Sequence, residues 1–387
     1  MPKNLMKFSM DKKMKVLVIP NYTNFGQVKD INRDSFLLVF KSFLDNTKIG
    51  KEWEWVLPYP GGGMHNHPGI INQFDYPNVS LRKMDTIEPF PPKMRVDYPY
   101  RFFDKLIEKE ESKFNLIWSH LPEWTNAYKI TRIYNKNQPI IGYCHWSEVP
   151  ENGARTDNSF WTNLRGILQM KVCGVNSNYQ KSVILKNAAK DFQPHIVEKL
   201  DKIIQPWYLG CDSATPSNGY DEKTIVFNHR EGVYTGSSWF FETMDELWKE
   251  RQDFKVYITL KEMDKPYTKY IGHADRGIYL NQLAKAHFGV GCFEGYSAWS
   301  MSATDGLSRG VPYLLPNGYC YPEMVGDDYP LLYEGRKEFK EMVGKLLDGE
   351  IERPDVTNIA ESLLWESQLK KWDIENNFVN NVRIFED

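Results

Sequence analysis

Phe288–Met324 reads FGVGCFEGYSAWSMSATDGLSRGVPYLLPNGYCYPEM. A short apolar run, expected as a strand over Val290–Phe293, leads into a segment rich in Gly, Ser and Ala. A helix carrying Asp305 is expected next, then Arg309-Gly310-Val311-Pro312 and a second apolar strand, Tyr313-Leu314-Leu315-Pro316. Small residues ahead of a helix leave backbone N–H groups uncovered, and the positive end of the helix favours a phosphate there. An acidic side chain on the first turns of that helix can accept hydrogen bonds from ribose hydroxyls. The stretch therefore has the layout of a nucleoside-diphosphate pocket. An ordinary strand–helix–strand unit with glycine at its turns has the same spacing.

The surrounding chain repeats this alternation. Lys15–Ile19 is expected as a buried strand, followed by the loop Asn24-Phe25-Gly26 and a helix with Phe36, Leu37, Phe40 and Phe43 on one face. Further strands are expected at Trp53–Leu57, Asn115–Trp118, Ile140–Cys144 and Val172–Asn176, with helices at Tyr100–Glu110, Trp161–Met170 and Asn178–Asn187. Ser213–Asp221 has linker composition. A second series then begins at Thr224–Asn228 and continues through a helix near Phe240–Lys249, a strand at Lys255–Thr259 and helices at Tyr279–Lys285 and Phe339–Leu347. Ile359–Asn381 reads as one amphipathic helix. Pro58–Pro99 is dense in Pro, Gly and Asn and reads as a long loop. Strands alternating with helices specify open parallel sheets, and 387 residues suffice for two such domains. The expected fold is α/β, with two doubly wound domains facing a central cleft. The expected boundaries are 1–206, 207–365 and a C-terminal helix at 366–387 that crosses back onto the first domain.

Composition excludes several function classes. With 41% hydrophobic and 14% aromatic residues, the chain has enough apolar surface to fold. Forty-eight basic residues against 51 acidic ones leave a net charge of −3, without the global signature of a nucleic-acid binder, while a local basic face stays open. The five cysteines are odd in number and widely spaced, which fits reduced thiols and a cytoplasmic location. No apolar run is long enough to suggest a membrane span.

Candidate residues follow from where the strands end, because ligands of open α/β sheets bind at the carboxyl ends of strands. Asn228-His229-Arg230 follows the first strand of the second series, and the Arg230 guanidinium can grip a diphosphate through two parallel hydrogen bonds. His145-Trp146-Ser147-Glu148 follows a strand of the first series, where an imidazole can bond a sugar hydroxyl or carry a proton. His65 and His67 have no carboxylate or thiol near them in sequence, so no metal site is expected there. No Walker loop, dinucleotide fingerprint or nucleophile elbow occurs.

The chain resembles glycosyltransferases of the B-type fold, which has two Rossmann-like domains, in the broad group of retaining nucleotide-sugar enzymes that includes family 4. Asp305-Gly306-Leu307-Ser308-Arg309-Gly310-Val311-Pro312 stands where those enzymes carry an acidic residue, a spacer and Gly-x-Pro. Pro322-Glu323 resembles their later Pro-Glu, and Pro206–Asp212 resembles their interdomain Pro-x-Gly-x-Asp. Val175-Asn176-Ser177-Asn178 resembles the end of their first domain. Asn228-His229-Arg230 with Phe240-Phe241 is similar to queuosine-tRNA mannosyltransferases. The resemblance implies that Arg230 contacts the donor diphosphate, Asp305 the ribose, and the backbone around Ser300, Met301 and Ser302 the phosphates. Glu294, Asn228 and Gly26 complete the expected donor set, and His145 is placed near the transferred sugar. Thr235 replaces the family's lysine, and Ser297 stands in place of the first glutamate of its carboxylate pair.

The resemblance implies a nucleotide-diphosphate sugar, a UDP-sugar, as co-substrate, with retention and with no metal or other cofactor required. An Asn-, Lys- and Tyr-rich composition and a diverged first half suggest a bacteriophage protein acting in the host cytoplasm. The leading acceptor is a hydroxymethylated pyrimidine in duplex DNA. It would be met by Arg82, Lys83, Lys93, Arg95, Trp146 and His65, with Phe90, Tyr98, Tyr100 and Phe102 interleaved. A surface polysaccharide or glycan acceptor, and a non-catalytic nucleotide-sugar-binding module, are the alternatives.

Overall fold

The computed structural model describes residues 14–20, 35–60, 72–84, 114–125, 138–145, 149, 159–216, 219–259, 261–273 and 275–383. Two parallel sheets organise them. The first contains β1 (Lys15–Ile19), β2 (Glu54–Pro60), β3 (Val79–Met84), β4 (Leu116–Ser119), β5 (Ile140–Tyr143), β6 (Val172–Val175) and β7 (Ile204–Pro206), in the order β3-β2-β1-β4-β5-β6-β7. The second contains β8 (Thr224–Phe227), β9 (Lys255–Ile258), β10 (Thr268–Tyr270), β11 (Phe288–Val290), β12 (Tyr313–Pro316) and β13 (Leu332–Tyr333), in the order β10-β9-β8-β11-β12-β13. Strands such as β1, β4 and β5 are apolar along their length because helices cover both faces of a parallel sheet.

In each sheet the strand order reverses at one place, between β1 and β4 and between β8 and β11. Chains leaving neighbouring strands there turn to opposite faces, and a crevice opens between them. In the first sheet Val18 sits opposite Trp118, and in the second Val226 sits opposite Gly289. The reversal in the second sheet therefore separates the segment after Phe227 from the segment after Val290. Those are the Arg230 and Ser300 segments.

Around the first sheet lie α1 (Ser35–Asn46), α2 (Lys48–Glu52), α3 (Ser159–Ile167), α4 (Asn178–Ala188) and α5 (Pro194–Ile203). Phe40 and Phe43 of α1 meet Trp55 and Trp118 edge-on at centroid distances of 4.9–5.8 Å. Around the second lie α6 (Ser237–Glu250), α7 (Arg276–Leu283), α8 (Met301–Leu307), α9 (Tyr321–Val325) and α10 (Arg336–Asp348). The tail forms α11 (Thr357–Ser362), α12 (Trp365–Lys370), a π-turn at Glu375–Val379 and α13 (Asn380–Arg383).

Three expectations need correction. The strand expected over Val290–Phe293 is shifted to Phe288–Val290, where Phe288 and Gly289 pair with β8 and Gly289 and Val290 with β12. The Pro58–Pro99 stretch is not all loop, since Val79–Met84 adds an outer strand to β2 through six paired residues. The tail is not one helix. At Leu364 the chain leaves helical geometry; the Leu363 carbonyl accepts from the Cys211 N–H and the Trp365 N–H donates to the Cys211 carbonyl, each at 2.9 Å, and a second break falls at Asp373, whose φ is +47°. Tyr100–Glu110 lies outside the described residues.

The broken tail returns to the first domain. Trp372 stacks on Trp207 with centroids 4.9 Å apart and planes within 10°, and its Nε1 donates to the Tyr208 carbonyl at 3.1 Å. Trp207 lies so close over β6 that a Cβ at Gly174 would stand 2.1 Å from its ring. Phe378 packs against Trp118 and Phe43. Trp207, Leu209 and Trp365 thus share one apolar core with β1, β4 and β5.

Candidate functional site

The crevice of the second sheet is built by an interlock between its two walls. Beyond β8, the Asn228 Nδ2 donates to the Tyr279 hydroxyl at 3.0 Å and to the Ser302 carbonyl at 2.9 Å, while its Oδ1 accepts from the Tyr313 hydroxyl at 3.0 Å. Ser302 Oγ donates in return to the Asn228 carbonyl at 2.9 Å. Tyr313 reaches Asn228 because a glycine lies on either side of its ring. A Cβ at Gly289 or Gly306 would come within 2.3 or 2.1 Å of it. Asn228, expected among the donor ligands, ties the start of α8 to the end of β8. His229 is a structural residue too. Its Nε2 donates to the Val290 carbonyl at 2.9 Å, and burial lowers its pKa to about 4, so the ring is neutral.

Arg230 comes next and is exposed, with no ion pair to any described residue. Its loop is closed by Thr235, whose hydroxyl lies 2.6 Å from the Arg230 carbonyl and 2.8 Å from that of Gly232. Thr235 is buried and so supports the loop from inside, where a lysine side chain has no solvent for its charge. Gly236 ends the loop at φ +64°, and a Cβ there would sit 1.8 Å from the Cys292 carbonyl oxygen. The Arg230 loop is thereby pressed onto the exit of β11.

On the opposite wall, Gly295 bends the chain at φ +83° and Ser300 caps α8, its Oγ accepting from the Ala303 N–H at 3.2 Å. The amides of Met301 and Ser302, ahead of this capped one, have no hydrogen-bond partner among the described residues. Ser297 faces inward: it is buried, 3.5 Å from both Cys320 Sγ and the Tyr321 hydroxyl. A glutamate at that position would place a carboxylate under the loop. Glu294 turns away toward Arg336, 2.6 Å from its Nη2. Asp305 is buried, and both its oxygens lie in the fork of Arg276, with Nη1 2.8 Å from Oδ2 and Nη2 on Oδ1. Burial holds the Asp305 carboxyl above its usual range, with Arg276 pulling the other way. Arg276 was not among the sequence candidates.

Two histidines stand at strand ends of the first sheet. His145 follows β5; its Nδ1 lies 3.2 Å from Asn176 Oδ1, and Asn176 Nδ2 donates to the His145 carbonyl at 2.9 Å. With the Asn176 oxygen as acceptor, Nδ1 carries a proton. Tyr143 also donates to Asn176 Oδ1, and the Phe36 ring packs edge-on to His145 at 5.4 Å. His120 follows β4, fully buried beside the same Phe36 at 5.2 Å, and neither ring nitrogen has a hydrogen-bond partner among the described residues. Its pKa falls to about 3, chiefly through burial and secondarily through His145. A histidine directly after an apolar strand was the available signal for His120, as it was for His145.

The structure brings Arg230, Asn228, Ser300, Met301, Ser302 and Asp305 to one crevice. Arg82 and Lys83 lie on β3, at the far edge of the first sheet, four strands away from β5 and hence about 19 Å from it. Gly26, His65, His67, Lys93, Arg95 and Trp146 fall outside the described residues. Among the described residues no group of three His, Cys, Asp or Glu side chains could hold a metal ion, and no helix is long and apolar enough to cross a membrane.

No protein-family profile matches the chain, and no curated protein sequence matches it. Solved structures do. Over 97% of this chain and 98% of the other, it superposes on sucrose-phosphate synthase from Thermosynechococcus elongatus with a TM-score of 0.64 at 10% identity. HepE of Anabaena in complex with UDP-glucose matches over 96% and 99% with a TM-score of 0.63 at 9% identity. The pneumococcal O-GlcNAc transferase GtfA, in complex with UDP and GlcNAc, matches 73% of this chain with a TM-score of 0.54 at 15% identity. This match spans 60% of the GtfA chain. The chain has the fold of these proteins, the B-type fold with two Rossmann-like domains.

Proposed function

We propose that the protein is a glycosyltransferase that moves a sugar from a UDP-sugar to an acceptor hydroxyl. One observation carries this reading. Where the strand order of the second sheet reverses, the exposed guanidinium of Arg230 and the amides of Met301 and Ser302, which have no partner among the described residues, flank one crevice. Arg230 holds the diphosphate, the amides take its oxygens, and Asp305 receives the ribose hydroxyls. As the bond from the sugar C1 to the diphosphate oxygen breaks, these donors stabilise the charge that develops on the leaving group. The acceptor oxygen forms its bond to C1 on the same face, and its proton passes to the departing diphosphate. Retention follows from attack on that face, and the charge on the leaving group is met without a metal ion. His145, directly after β5, is the first-domain partner for a sugar or acceptor hydroxyl.

For the acceptor, the reading extends to a hydroxymethylated pyrimidine in DNA. Support for that class comes from Arg82 and Lys83 on β3 and the aromatic and basic residues of the 85–102 segment. The test incubates the purified chain with UDP-glucose and duplex DNA that does or does not carry hydroxymethylcytosine. UDP release that depends on the hydroxymethyl group supports the full reading. Release with a glycan acceptor alone transfers it to the polysaccharide class. Tight UDP-sugar binding with no release on any acceptor marks a binding module.

A further inference from the structure

Glu323 lies on α9 in the second domain, and its carboxylate reaches the first. Oε2 accepts the backbone N–H of Asn178 at 2.8 Å and Oε1 accepts that of Tyr179 at 2.6 Å. The Tyr208 hydroxyl lies 3.2 Å from Oε2 and accepts from Asn178 Nδ2 at 2.7 Å. Asn178 and Tyr179 open α4, whose first amides have no carbonyl within the helix to bond. Ser177 supplies the cap from within the domain, its Oγ accepting the Gln180 N–H at 3.0 Å. The two amides ahead of that one are taken by a carboxylate from the other domain, where the helix dipole favours negative charge.

The same helix end touches the donor crevice. The Tyr179 hydroxyl lies 3.5 Å from the Gly295 carbonyl, and the Gly295 N–H donates to the Tyr319 hydroxyl at 2.9 Å. The Tyr179 ring packs against those of Tyr296 and Tyr319 at 5.7 and 5.6 Å. Gly295 is the positive-φ bend from which the chain runs to Ser300 and α8. One face of that bend is therefore held by its own domain, through Tyr319, and the other by the opposite domain, through Tyr179. Glu323 is exposed, so its hydrogen bonds exchange readily with water and can open and close.

We propose that Glu323 is a positioning residue that clasps the two domains together, so that closing the cleft and shaping the Gly295–Met301 segment are one event. Its role in turnover rests on the glycosyltransferase reading above; the clasp itself does not. With Glu323 seated on α4, Tyr179 meets Gly295 and the two domains close on the crevice. With Glu323 released, the domains part and that segment loses its outer support. Arg230, Asp305 and the α8 amides all belong to one domain, so nucleotide binding survives the release while transfer between domains does not.

The test compares full-length wild type with Glu323→Ala, Glu323→Gln and Tyr179→Phe. Hydrogen exchange of the peptide containing Asn178 and Tyr179, in the ligand-free protein, is expected to be about tenfold faster in both Glu323 variants, which lose the charge-assisted acceptor. In all three variants turnover of UDP-glucose is expected to fall about tenfold, while the Kd for UDP changes less than about threefold. If Glu323→Ala unfolds, Glu323→Gln, which keeps the side-chain shape, decides the matter. Wild-type exchange and wild-type turnover in a folded Glu323 variant overturn the proposal, as does an equal loss of UDP affinity and turnover. A wild-type protein without UDP-glucose turnover refutes the transferase reading instead, and the exchange measurement still decides whether the clasp exists.

Discussion

Arg276 and Asp305 are paired end to end beneath the crevice of the second sheet, both terminal guanidinium nitrogens on both carboxylate oxygens, with the Asp305 side chain only 8% exposed. A ribose that bonds Asp305 must share the carboxylate with this guanidinium or displace it. Arg276→Ala leaves a buried carboxylate unpaired and is expected to lower the unfolding free energy by about 2–3 kcal/mol. This is less than for a fully buried pair because a third of the Arg276 side chain is in solvent. Urea denaturation checks this, and the double variant Arg276→Ala/Asp305→Asn is expected to recover most of the loss.

Gly236 joins the Arg230 loop to α6 at a φ of +64°, hard against the Cys292 carbonyl. Gly236→Ala must therefore move the loop that carries Arg230. We expect UDP affinity to fall about tenfold or more. Isothermal titration reads the change, and unaltered affinity would show that the loop does not reach the nucleotide.

Ser297 occupies the place of a glutamate in the enzymes the sequence resembles, yet it is buried against Cys320 and Tyr321. Ser297→Glu is expected to destabilise the protein by about 3 kcal/mol or more, without raising turnover, because it places a carboxylate among groups that cannot solvate it. Thermal melting together with UDP release measures both halves of this prediction.

His120 and His229 are buried with pKa values lowered from 6.5 to about 3 and about 4. In the unfolded chain both rings take up protons near 6.5, whereas in the folded chain they stay neutral well below that. Stability is therefore lost as the pH falls through 6.5, by about 2 kcal/mol for each ring at pH 5. Denaturation at pH 7.5 and pH 5.0 is expected to differ by about 4 kcal/mol from these two residues. His229→Gln, which retains a donor for the Val290 carbonyl, is expected to remove half of the difference.

Much of the fold was legible because β1, β4, β5, β6, β8 and β12 are short apolar runs bounded by turn residues, the pattern of strands covered on both faces. β3 was not, since Val79–Met84 is an outer strand with Ser80, Arg82 and Lys83 in it, embedded in a stretch rich in Pro, Gly and Asn. The tail was misread as one helix because its apolar spacing persists across the break. The cause of that break, Cys211, lies in a linker far away in sequence. In the candidate site, Arg230 was visible as a charged residue just after a strand and Asp305 as an acidic residue within the expected helix. Arg276 was hidden, as nothing in local spacing pairs it with Asp305. The inward turn of Ser297 depends on Cys320 and Tyr321, which only the fold brings near.

The central claim is that the crevice between Arg230 and the start of α8 binds a nucleoside diphosphate. Calorimetric titration of UDP into wild type and Arg230→Ala at neutral pH tests it most directly. The account predicts one site per chain, with affinity about tenfold or more weaker when the guanidinium is removed. Equal binding by both proteins, or no binding by the wild type, would contradict it.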